Sequence, residues 1–147
     1  MSNGDAIDIL LVEDNPADVE LTLRALRKAN LANPIRVVAD GEEALDYLFG
    51  SGAHGERAGA HHPRVVFLDL KLPKVSGLDV LRRIKADPAT MTIPVVVLSS
   101  SREEPDIKAA YALGANSYIV KPVEFDNFAK VVSQIGFYWV LLNKTPY

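Results

Sequence analysis

Five short apolar runs punctuate this chain, at residues 7–12, 35–38, 65–68, 93–98 and 118–120. Three of them are rich in Val, Ile and Leu with no polar alternation. Strands buried on both faces of a parallel sheet read this way. Segments of helical periodicity lie between the runs. Asn15-Pro16 opens the first, with Asn as cap, Pro at the first helical position, Asp18 in the first turn and a stripe of Val19, Leu23 and Leu26. Asp40 caps the second; Glu43 follows at capping-box spacing and Gly50 ends it. Ser76 opens the third and Asp87-Pro88 ends it. The fourth runs from about Glu103 to Gly114, and the fifth from near Glu124 almost to the C-terminus. A βαβαβαβαβα order predicts an α/β fold, a parallel sheet with helices on both faces. The 147 residues suffice for one such domain. The Gly-rich stretch at 50–63 reads as a long loop into the third strand.

Composition removes several functions. The chain has no cysteine, which excludes disulfides, thiolate metal sites and cysteine nucleophiles. Its formal net charge is -3 and no basic patch dominates any segment, so nucleic-acid binding through phosphate contacts is not expected. The opening residues lack a basic and then apolar secretory pattern, and no apolar stretch approaches a membrane span. A cytoplasmic protein without membrane partners is expected.

What remains is a set of polar residues at the ends of the apolar runs: Glu13 and Asp14, then Asp69, then Ser99, then Lys121. In open parallel sheets ligands bind beyond the carboxyl ends of the strands, where strand order switches. Carboxylates gathered there repel one another, and a divalent cation relieves that cost. Oxygen ligands without His or Cys favour Mg²⁺. Asp69 follows a strand apolar on both faces, so it is a rigidly held candidate nucleophile able to form an acyl phosphate. Ser99 is placed to donate to a phosphoryl oxygen and Lys121 to neutralise its charge. Any one of these residues alone reads as a turn or cap; their joint appearance at successive strand ends is what carries the inference. His54, His61 and His62 show no ligand spacing and read as solvent-exposed loop residues.

ILLVEDNP, VVFLDLKLPKVSGLDVLRRIK, IPVVVLSSS and GANSYIVKP, in that order, resemble the receiver domain of two-component response regulators, over residues 7 to about 135. The resemblance implies a flavodoxin-like (βα)5 doubly wound sheet in strand order 2-1-3-4-5. It implies Asp69 as phosphoacceptor, with Mg²⁺ held by Glu13, Asp14, Asp69 and the backbone carbonyl of Lys71. It also implies Ser99 and Tyr118 as switch residues and Lys121 as the phosphoryl-binding lysine, with Lys121-Pro122 matching a peptide that is usually cis. A sensor histidine kinase is the implied donor, and the chain is no enzyme beyond self-catalysed phosphotransfer and autodephosphorylation. Ser99 replaces the more usual Thr, and Ser100 a common Ala. Lys71 and Ser101 hold positions that line water access to the acyl phosphate, which leaves its lifetime open. The Gly/His-bearing loop and the FYW-containing tail resemble small single-domain regulators that serve bacterial phytochromes, which implies a phytochrome-type kinase.

The whole chain, 1–147, is expected to be one receiver domain, with its core at about 7–136 and a C-terminal extension at about 137–147. In the fifth helix Phe125, Phe128, Val132, Ile135, Trp139 and Leu142 form one apolar stripe, and Val131, Phe137, Tyr138, Val140 and Leu141 lie beyond it. The excess apolar surface predicts a homodimer through this helix and its extension. Other functions stay open. A Mg²⁺-dependent phosphatase or phosphotransferase would need a second acid two residues after the nucleophile, where this chain has Lys71. A nucleotide or flavin module would need a Gly-rich loop in place of Glu13-Asp14-Asn15-Pro16. A receiver that only drains phosphate from its kinase fits the residues as well as one with an output.

Overall fold

The apolar runs assemble into one parallel sheet, seen in a computed structural model that describes residues 9–28, 34–52 and 62–121, with positions 130, 134, 144 and 146. The elements are β1 (Ile9–Val12), α1 (Pro16–Lys28), β2 (Ile35–Val38), α2 (Gly41–Phe49), β3 (Val65–Leu68), α3 (Gly77–Ala86), β4 (Val95–Ser99), α4 (Glu104–Ala112) and β5 (Ser117–Val120). Strand order is β2-β1-β3-β4-β5, all neighbours parallel. The expected fold class and order are therefore observed. Apart from the isolated positions 130, 134, 144 and 146, the expected fifth helix and its dimerising extension lie outside the described residues, as do residues 7 and 8 of the first run, residues 53–61 of the Gly-rich loop with His54 and His61, and Pro122 of the expected cis peptide.

Alternation along the strands divides the core in two. Leu10, Val12, Val66, Leu68, Val95 and Val97 face one layer, formed by α2, α3 and Ala110 of α4. Ile9, Leu11, Val65, Phe67, Val96 and Leu98 face the other, against Ala25 and Leu26 of α1. Because both faces are covered, β1, β3 and β4 are buried at every position, which is why their one polar residue is Ser99, the last of β4.

The helix starts follow the predicted caps. Asn15 Oδ1 accepts from the amides of Ala17 and Asp18. Asp40 accepts from Glu43 N at 2.7 Å, but the Glu43 carboxylate reaches back to Ala39 N, one residue before the cap. Ser76 Oγ accepts from Asp79 N, and Gly50 ends α2 at φ 61°. Two details differ from expectation. The buried face of α1 is Thr22, Ala25 and Leu26, with Leu23 half-buried; Thr22 can be buried because its hydroxyl donates to the Asp18 carbonyl at 2.9 Å. The fourth strand begins at Val95 and extends to Ser99. Pro94, which has no N–H to give, lends only its carbonyl, to Val66 N.

Candidate functional site

β1 and β3 are neighbours at the point where strand order reverses, and Val12 pairs with Leu68. Asp69 N donates to the Val12 carbonyl and Glu13 N to the Val38 carbonyl, both at 3.0 Å. The next residues of both strands thus leave the sheet into one crevice. One carboxylate oxygen from each of Glu13, Asp14 and Asp69 lies within 4.8 Å of the others. Glu13 and Asp69 are buried and Asp14 is exposed. They line a cleft of about 390 Å³ together with Asn15, Asp18, Lys71, Ser100 and Lys121.

The loop after β3 fixes Asp69. It turns through Lys74, at φ 67°, and folds back so that Gly77 N meets the Leu70 carbonyl at 2.9 Å. A Cβ on Gly77 would stand 2.2 Å from the Asp69 carbonyl oxygen, so only glycine permits this approach. The amide of Lys71 points at Asp69 Oδ1, 3.4 Å away.

Lys121 follows β5, its amide bonded to the Ser99 carbonyl at 2.7 Å. Its ammonium donates to Glu13 Oε1 at 2.6 Å and to Asp18 Oδ2 at 2.8 Å. Ser99, fully buried, ends β4; its hydroxyl oxygen accepts from Ser101 N at 3.1 Å, and it is Ser100 that lines the cleft. Tyr118 is half-buried with its hydroxyl on the Ser101 carbonyl at 3.0 Å. Ser101 Oγ in turn bonds Asp106 of α4 at 2.5 Å. All the predicted side chains thus gather at the carboxyl ends of the strands, in two groups: a charged cleft and, behind it, the Ser99–Ser101–Tyr118 network.

Burial pushes Glu13 up, to about 7, more than the hydrogen bond from Lys121 pulls it down. Asp69 is also raised by burial, against the pull of Lys121. For Lys121 burial acts to lower the value, but hydrogen bonds to Asp18 and Glu13 outweigh it and hold the ammonium above its ordinary range. Two buried carboxylates that hold protons too tightly, beside a third that is open to solvent, form a set a cation would relieve. All three are hard oxygen donors within reach of one ion, so the trio fits a divalent cation.

Asp18, like Asn15, lines the cleft although the sequence marked it only by its helical place. The signal was its place in the first turn of α1, whose N-terminus points where β1 ends. Asp106, in the first turn of α4, was not singled out; its bond from Ser101 emerges only in the fold.

The model of the response regulator receiver domain family matches residues 9–133. A probable methanogenesis regulatory protein, FilR2 of Methanothrix harundinacea, is 40% identical over 152 residues, covering 99% of this chain and 96% of that protein. Response regulator Rcp1 of Synechocystis is 36% identical over 132 residues, 90% of this chain and 88% of that one, and its Mn(2+)-bound crystal structure superposes with a TM-score of 0.86 over 97% and 100% of the two chains at 34% identity. The phosphorylated cyanobacterial phytochrome response regulator RcpA gives a TM-score of 0.86 at 39% identity, over 96% and 99%. The bacteriophytochrome response regulator AtBRR is 54% identical with a TM-score of 0.75, over 94% and 98%.

Proposed function

Since this chain belongs to the response regulator receiver family, we propose that it is a signalling switch in which Asp69 accepts a phosphoryl group from the phosphohistidine of a sensor kinase. The observation that carries the reading is the convergence of Glu13, Asp14, Asp69 and the Lys121 ammonium on one cleft. An Asp69 carboxylate oxygen attacks phosphorus as the P–N bond of the donor breaks and the donor imidazole leaves. The fixed β3–α3 loop holds the nucleophile for in-line approach. Glu13, Asp14, Asp69 and the Lys71 carbonyl would hold Mg²⁺, which supplies positive charge against the phosphoryl oxygens. Lys121, bonded to Glu13 at 2.6 Å, supplies a second positive charge to the cleft. Ser99 then turns its hydroxyl to the aspartyl phosphate and gives up its bond from Ser101 N. Tyr118, tied to the Ser101 carbonyl, and α4, tied through Asp106, carry that movement to a partner-facing surface.

The names of RcpA and AtBRR support a phytochrome-type kinase as donor; a cytoplasmic location is part of the proposal and rests on the absence of a secretory pattern in the opening residues. The apolar surplus in the sequence after residue 124 supports a homodimer. Among the described residues no helix is long and apolar enough to cross a membrane.

Phosphotransfer from candidate histidine kinases in Mg²⁺ tests the reading. Wild type is expected to take label stoichiometrically and Asp69→Asn none. Equal labelling of the two would refute it.

A further inference from the structure

Among the described residues Lys121 has two carboxylate partners, and one of them belongs to the trio fitted for a cation. Glu13 does; Asp18 does not. An ammonium carries three N–H donors. Among the described residues two are committed, to Glu13 Oε1 at 2.6 Å and to Asp18 Oδ2 at 2.8 Å, and the third N–H has no partner there other than the cleft. With two bonds fixed, the head group cannot spin, and the direction of the third N–H is set. Were Glu13 the lone anchor, the ammonium could swing about one bond. Its anchor would also weaken whenever that carboxylate shares its charge with a cation.

Asp18 itself is well held. Its amide is bound by the Asn15 cap and its carbonyl by the Thr22 hydroxyl, and its side chain is one-third exposed at the rim of the cleft. A first-turn acid is favourable to any helix, so a purely helical role is the rival explanation. That role does not require a 2.8 Å bond to a buried lysine 103 residues away in sequence.

We infer that Asp18 is a positioning residue: it clamps Lys121 so that one ammonium N–H faces the phosphoryl site. In function the inference rests on the phosphoacceptor reading of Asp69; in geometry it stands without it. Asparagine at 18 keeps an acceptor but loses the charge, and alanine loses both, so the clamp weakens in that order.

The test compares wild type, Asp18→Asn and Asp18→Ala in two measurements. The first is the ¹⁵N-lysine ammonium signal of Lys121 in the metal-free protein, assigned with Lys121→Met. It is expected in wild type, weakened in Asp18→Asn and lost to solvent exchange in Asp18→Ala. The second is the labelling rate with acetyl phosphate at saturating donor and Mg²⁺. It is expected to fall about tenfold in Asp18→Ala and less in Asp18→Asn, with the Mg²⁺ dissociation constant changing by less than about threefold. An ammonium signal unchanged in Asp18→Ala overturns the inference, and so does a wild-type labelling rate in that variant. A helical role alone predicts a lower melting temperature with both readouts unmoved. If wild type takes no label from any donor, the phosphoacceptor reading fails, and the ammonium signal still decides the clamp.

Discussion

Two lysines are drawn out of solvent at opposite ends of the same sheet, and they are held in opposite ways. Lys121, beyond the carboxyl ends, meets the carboxylates of Glu13 and Asp18. Lys85, at the end of α3, meets neutral oxygens at the amino ends: the carbonyls of Met91 at 3.1 Å and Ile93 at 2.7 Å, and Asn116 Oδ1 at 3.4 Å. Burial lowers Lys85, whereas the charged partners of Lys121 more than offset burial and raise it. Dipoles satisfy an ammonium without securing its charge; carboxylates secure the charge and also make the site repel further anions unless cations join it. Lys85 acts as a strut between α3, the loop before β4 and the start of β5. Gly114, at φ 105°, leaves room for its stem, since a Cβ there would lie 3.0 Å from Lys85 Cγ. Lys121 is a placed charge in the same cleft as Asp69, the proposed phosphoacceptor.

Substituting each lysine by Met should therefore produce opposite phenotypes. The largest effect expected is on Lys121→Met, whose phosphotransfer rate should fall about 100-fold or more while the chain still folds, as is usual when a donor to developing charge is removed. Stopped-flow or quench-flow labelling measures it. Lys85→Met should transfer phosphate at the wild-type rate within about twofold and instead lose on the order of 1 kcal/mol of stability in urea, because the part-buried Ile93 carbonyl loses its donor. If Lys85→Met slows transfer as much as Lys121→Met does, the two ends are not separable.

The smallest effect is on pH. Glu13 is raised in the folded chain to about 7 from an ordinary 4.5, so the folded state binds that proton more tightly than the unfolded state. Its contribution to stability is complete below about 4.5 and is lost as pH rises through about 7. Asp69, raised in the same direction, adds to this slope. Metal-free protein should lose on the order of 1–2 kcal/mol between pH 5 and 7.5 in denaturant titrations. Mg²⁺ at pH 7.5 should restore it. Lys85→Met should keep the wild-type slope and Lys121→Met steepen it. A stability profile flat across this range would contradict the burial of Glu13.

The same contrast explains what could be read from the sequence. Strand ends were legible because β1, β3 and β4 are apolar at every position until the chain leaves the sheet, so Glu13, Asp69 and Ser99 stand out one residue past, or at, the edge. Caps were legible because Asn15, Asp40 and Ser76 act on amides two or three residues away. Asp18 and Lys85 were not legible in their roles. Each acts on a partner that only tertiary folding supplies, and each has an ordinary local explanation, a first-turn acid and a last-turn base. The burial of Thr22 on α1 in place of Leu23 was hidden for a similar reason, since a hydroxyl bonded to its own helix carries no apolar signature.

Whether the crevice between β1 and β3 is where phosphate goes can be read from the labelled protein itself. Borohydride reduction of the phosphorylated chain converts an aspartyl phosphate to homoserine, and peptide mass spectrometry then locates it. Homoserine at position 69 alone is the expected result. Homoserine at 14 or 18, or label that survives on a histidine with none at 69, would contradict the site described here.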